Sequence, residues 1–142
     1  MPLITQVADA VVAELNAATF SQSFTATRAY VPRCELPDLK TLTVTVVPSS
    51  VSVTAAARGA TQQDVAIDIA VQQKLDSEQN AALDPLLALA EEIAEHFRGK
   101  RVAGFQDAIW SKTEFTALYA PEHLEQLRTF TSVVTLTFRI IR

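Results

Sequence analysis

The 142 residues are 49% hydrophobic and 20% charged, a balance that excludes an intrinsically disordered chain and lets one core form without metals or disulfides. With Lys+Arg 12 against Asp+Glu 16, the net charge of −4 excludes the basic face of a dedicated nucleic-acid binder. The one cysteine, Cys34, excludes an internal disulfide and points to a reducing compartment.

From the start, Ile4, Val7, Val11 and Leu15 recur at the spacing of one helical face, which predicts a helix over 3–17. Asp9 and Glu14 interrupt its hydrophobicity, and no Lys/Arg-rich start precedes it, so no export signal is expected. Residues 25–31, rich in Thr and aromatic side chains and stopped by Pro32, predict a first strand and then a loop through Pro37. Leu42, Val44 and Val46 alternate with Thr41, Thr43 and Thr45 until Pro48 ends the run, giving a strand with one apolar and one hydroxyl-bearing face. Val65, Ile67, Ile69 and Val71 alternate in the same way with Asp64, Ala66, Asp68, Ala70 and Gln72, so the two strands pair as neighbours. Between them residues 49–63 show weak alternation at Val51 and Val53 and the turn pair Arg58-Gly59; a long, flexible hairpin extension is expected.

Leu83, Leu86, Leu87, Ala90, Ile93, Ala94 and Phe97 share one face of a second helix, with Glu91, Glu92 and Glu95 opposite. Asp84-Pro85 suits its N-cap and first position, and Arg98-Gly99 its end. The glutamates also close the richest apolar run, 86–90, so no membrane span is expected. Residues 108–118 and 130–141 predict two strands joined through a turn and one helical turn at 121–126. In the last, Phe130, Val134, Leu136, Phe138 and Ile140 lie on one side and Thr131, Thr135, Thr137 and Arg139 on the other. The fold class is α+β: a single domain, 1–142, with an antiparallel or mixed β-sheet and two main helices packed on one face. The other face, lined by Thr43, Thr45, Asp68, Thr135 and Thr137, is expected to be solvated or to meet a partner.

Catalytic and cofactor motifs are absent from this pattern. Gly59, Gly99 and Gly104 form neither a GxGxxG nor a GxxxxGK[ST] loop, and no serine stands in GxSxG. Glu92, Glu95 and His96 look like part of a helical zinc motif, but Glu92 stands where its first histidine belongs; His96 near the helix end, beside Glu92 one turn back, is the simpler reading. Asp64 and Asp68 share a strand face about 13 Å apart, too far for a glycosidase pair, and suit a solvated face or a bridge across a subunit boundary. Cys34, between Arg33 and Glu35, has no placed base, since His96 and His123 are the only histidines. Trp110 alternates with Lys112 and Glu114, so it either points away from the core as an interface anchor or packs into it. No catalytic, cofactor or metal residue is assigned.

The order and texture of these elements resemble the tail terminator proteins of long-tailed bacteriophages. The residues that carry the resemblance are the opening helix Ala8-Asp9-Ala10-Val11-Val12-Ala13-Glu14-Leu15, Leu36-Pro37-Asp38-Leu39 leading into Thr41-Leu42-Thr43-Val44-Thr45-Val46, the strand Val65-Ala66-Ile67-Asp68-Ile69-Ala70-Val71, the helix around Leu83-Asp84-Pro85-Leu86-Leu87, and the Thr-rich closing strand. The resemblance implies a non-enzymatic virion assembly protein at the tail–neck junction, free in the host cytoplasm before assembly. Six copies would form a ring that caps the tail tube, ends its polymerisation and offers the surface for head attachment. Its partners would be other copies of itself, the tail-tube protein and a head-completion or neck protein, with DNA passing through unbound. Interface candidates are Trp110, Arg58, Asp68, Thr43, Thr45, Thr135 and Arg139. A head-completion or neck adaptor ring is the alternative in the same class. From another class, a small-molecule-binding α+β domain or a hydrolase using Cys34, Asp68 or His123 would need a pocket with convergent polar groups.

Overall fold

The structure, a computed structural model, describes residues 2–30, 41–74, 80–117, 121 and 129–142. Helix α1, Leu3–Ala17, buries Val7, Val11 and Leu15 as the apolar spacing predicts, and Thr5 Oγ1 donates to the Pro2 carbonyl at 2.8 Å in its first turn. Strand β1, Ala26–Arg28, is only three residues long. The Asn16 side chain bonds both the N–H and the carbonyl of Ala26, at 2.8 and 3.1 Å, which ties β1 to the end of α1. Arg28 Nε donates to Asp9 Oδ1 at 2.7 Å and its guanidinium lies over the Tyr30 ring. Hydrogen bonding to Tyr30 and then to Asp9 raises the Arg28 pKa further above its ordinary range, so this anchor stays charged.

Strands β2, Thr43–Ala57, and β3, Ala60–Lys74, form one long antiparallel hairpin. Helix α2, Asn80–Phe97, then leads to β4, Arg101–Val102, β5, Phe105–Ala117, and β6, Thr129–Ile141. The sheet order is β1-β2-β3-β6-β5-β4, parallel between β1 and β2 and antiparallel elsewhere, so the α+β class holds with a mixed sheet. Val44 and Val46 of β2, Val65, Ile67, Ile69 and Val71 of β3, and Val134, Leu136, Phe138 and Ile140 of β6 share one face. They form a single buried cluster with Val7, Val11 and Leu15 of α1 and Leu86, Leu89, Ile93 and Phe97 of α2, which places both helices on that face.

Several expectations are corrected. Pro48 does not end β2: β1's last bond to it is Ala29 N–H to the Val46 carbonyl, so among the described residues β2 is an edge strand beyond that point, where proline's missing N–H costs no ladder bond and a bulge between Pro48 and Ser50 absorbs its shape. The hairpin expected over 49–63 is present as a ribbon, with β2 and β3 paired along it up to the turn at Arg58-Gly59, where Gly59 has φ +79°. Helix α2 starts before Asp84-Pro85 and carries Pro85 inside it, because burial of Leu86 and packing of Leu83 on the core outweigh one lost backbone bond. Its predicted apolar face is buried or half-buried and gains Leu89; Gly99 ends it at φ +71°. His96 pairs with Glu14 of α1 at 2.7 Å rather than with Glu92, which accepts bonds from Ser21 instead. Glu14 Oε1 also accepts the Ala103 N–H at 2.7 Å, so one carboxylate joins α1, α2 and the β4–β5 turn. Cys34, the loop to Pro37, His123 and positions 122–126 of the predicted helical turn lie outside the described residues.

Phe138 is fully buried and meets Phe97 edge-on at 6.1 Å between ring centroids. Phe138→Ala is expected to lower unfolding free energy by about 3–5 kcal/mol. Urea titration followed by circular dichroism reads this directly, and a loss under about 1 kcal/mol would show that β6 and α2 do not share this core.

Candidate interaction surface

Period-2 alternation assigns a residue to a face of the sheet, but whether that face is wet depends on what lies over it. The hydroxyl face, expected to be solvated or to meet a partner, is partly covered: Thr43, Asp68, Thr135 and Thr137 are half-buried, but its middle is closed. Thr45 is fully buried, with Val47, Ala70, Gln72 and Thr131 also buried on the same side. Thr43 is half-buried, and its Oγ1 donates to the Thr41 carbonyl at 3.2 Å. Burial removes Thr45 as an interface anchor, whereas Thr43 keeps part of its surface exposed. The Thr45 hydroxyl is buried with no hydrogen-bond partner among the described residues, so Thr45→Val is expected to raise stability by about 1 kcal/mol, measurable as a higher urea midpoint; destabilisation by a similar amount would reveal a partner for that oxygen.

Asp68, Thr135 and Arg139 find partners within the chain, whereas Arg58 pairs with no described carboxylate. Thr135 Oγ1 donates to Asp68 Oδ1 at 2.6 Å and lies 2.5 Å from Thr116 Oγ1, a chain that crosses β3, β6 and β5. Arg139 Nε donates to Asp64 Oδ1 at 3.1 Å from the directly opposing position on β6. The aspartates are thus neither a free pair nor bridges waiting for another subunit, as cross-strand neighbours already stand within reach of each. Among the described residues, no three His, Cys, Asp or Glu side chains converge as metal ligands would.

Trp110 lies on the helix side. A bulge between Trp110 and Lys112 shifts the alternation by one, so Trp110 stands opposite Phe138 and packs on the core, while Lys112 stands opposite Thr137 on the other face. Its indole Nε1–H donates to Thr113 Oγ1 at 2.7 Å. The half-buried ring borders two shallow clefts. One, about 370 Å³, lies between α2 and β5 and is lined by Glu91, Ala94, Glu95, Arg98, Thr113 and Phe115 as well. The other, about 470 Å³, includes Arg101, Ile109, Arg139 and Ile141.

Arg58 stands at the far end of the ribbon. From Ser49 to Gly59 every side chain is exposed, and the 17 residues from Thr41 to Ala57 carry no charge. Val51 pairs with Val65, and Val53 two residues on shares its face, so both continue the core stripe; they are 43% and 59% exposed, with neither described helix covering them. The opposite edge of the sheet is blunted by the Lys112–Glu114 ion pair, whereas the β2 edge from Ser50 to Ala55 bears only hydroxyls, valines and alanine. Sequence reasoning singled out Arg58 and Trp110 but passed over Val51 and Val53, whose spaced valines in an uncharged run were the available signal. Neither a scan of protein-family models nor a search of curated proteins returns a match for the chain.

Val51→Lys and Val53→Lys are each expected to change unfolding free energy by less than about 0.5 kcal/mol and to reduce self-association seen by sedimentation velocity. A folding cost of several kcal/mol would place these valines in a core after all.

Proposed function

We propose that this chain is a structural assembly protein that works by head-to-tail association of identical copies into a closed ring, in the manner of a phage tail terminator. The observation that carries this reading is the projecting ribbon: an ordered, uncharged strand edge with solvent-facing valines. A monomer that stayed alone would normally blunt such an edge with charge. Because the surfaces at the other end of the sheet have different chemistry, contact between copies is heterologous, and heterologous contacts close into rings when the rotation per subunit allows.

On this reading the ring sits at the tail–neck junction of the virion and ends tail-tube growth; six copies, the tube protein and a head-completion protein are its partners. The net charge of −4 suits a ring through which DNA passes, since a basic lumen would hold phosphates. No helix among the described residues is long and apolar enough to cross a membrane.

Native mass spectrometry across a concentration series, followed by negative-stain imaging, tests the reading. Sixfold rings, and tubes capped at one end when tail-tube protein is added, are the expected result. A stable dimer at every concentration, or substrate turnover abolished by one polar substitution in a cleft, would overturn it.

A further inference from the structure

If copies associate through the ribbon, some other surface of the molecule must receive it, and this inference rests on that ring reading. The ribbon's tip is a narrow knob: Ala55, Ala56, Ala57, Gly59 and Ala60 surround one long cation, Arg58. The cleft between α2 and β5 is its chemical complement. Ala94, Trp110, Thr113 and Phe115 line it together with the charged side chains of Glu91, Glu95 and Arg98. Glu95 and Arg98 neutralise each other at 3.3 Å, so the carboxylate left over is that of exposed Glu91. Neither Arg58 nor Glu91 has an ion-pair partner among the described residues.

Within one chain the two cannot meet. Trp110 lies opposite Phe138, Phe138 lies opposite Val65, and the tip is six residues further along β3, about 20 Å away at about 3.3 Å per residue. A second copy of the same chain has no such restriction. We infer that residues 55–60 of one copy seat in the α2/β5 cleft of the next, with Arg58 paired to Glu91 and its guanidinium over the exposed part of the Trp110 ring. Small side chains let the tip approach the cleft floor, and partial exclusion of water there strengthens both the ion pair and the cation–π contact. Knob and cleft are different surfaces, so each copy gives one and receives one, as ring closure requires. The uncharged β2 edge behind the tip then runs against the neighbour without an unpaired charge to bury.

Charge reversal tests the pairing. Arg58→Glu and Glu91→Arg, both at exposed positions, are each expected to weaken association about tenfold or more in native mass spectra, and the double reversal to restore it to within about threefold of the parent. Single reversals within about twofold of the parent, or a double variant no better than the singles, would overturn the inference while leaving the ring reading intact if rings persist. A parent chain that forms only dimers overturns the ring reading instead. Independently, Ala57→Cys with Thr113→Cys in a Cys34→Ser background should oxidise to a ladder of species beyond the dimer, since tip and cleft lie on different copies. A product that stops at dimer with Ala57→Cys alone would indicate two ribbons pairing edge to edge and defeat the proposal, as would no cross-link at all.

Discussion

The strands are longer than the helices that cover them. At about 3.3 Å per residue the 15 residues of β2 and of β3 each span about 50 Å, whereas at about 1.5 Å per residue α1 with 15 residues and α2 with 18 span about 23 and 27 Å. One apolar face therefore leaves the helical layer partway along. Beneath the helices it is a close-packed core of valine, isoleucine, leucine and phenylalanine; beyond them the same alternation continues on β2 as exposed Val51 and Val53. The ribbon is thus not an appendage to the fold but the uncovered remainder of the sheet that makes the fold.

Position of the helical layer is fixed by a few carboxylates at its rim. Glu14 accepts from His96 and from the Ala103 N–H, Glu92 accepts from the backbone and side chain of Ser21, and Asp9 holds Arg28. Glu14 and Glu92 each join segments more than 70 residues apart, and Asp9 ties α1 to the strand that follows it. Such charge-assisted bonds, exposed at Ser21 and Ala103 and part-buried at His96 and Arg28, add modest energy but strong directional preference, and they favour one position of the helices on the sheet. Gly104 belongs to the same arrangement, because a Cβ there would come within 3.2 Å of Ala10 Cβ, so the β4–β5 turn can lie directly on α1.

The fold class, the two helical faces and the inward side of β3 and β6 were legible because each rests on one period repeated over many residues. Failures came where a local event shifts or outlasts a period. At Trp110 a single bulged residue reverses the alternation, and no residue type announces a bulge. At Pro48 the proline rule holds for a strand paired on both sides, yet β1 is so short that β2 is already an edge there. Thr45 shows a third limit: alternation gave its face correctly but could not say that this part of the second face is buried. His96 and Glu14 are 82 residues apart, and only packing of α1 beside α2 brings them together. Of the proposed contact, Arg58 and Trp110 were visible as an isolated cation and an isolated indole; Val51 and Val53 looked like weak alternation because their part of β2 has no covered face to demand a stronger one.

An uncharged edge strand is a hazard as well as a tool, and the way it is bounded bears on what it is for. Bulges between Pro48 and Ser50 and between Ala55 and Ala57 confine regular pairing to six residues, and Arg58 caps the exposed end with charge. A longer flat edge would recruit strands without limit, as fibrils do. A fully charged one would recruit none. Between those extremes, a short adhesive stretch ending in one directional cation favours contacts of a single register, and a single register repeated by identical copies gives a fixed rotation at every step. On the proposed ring reading, closure at a defined number of subunits would follow from that fixed rotation, and the two bulges that bound the edge would help to set it.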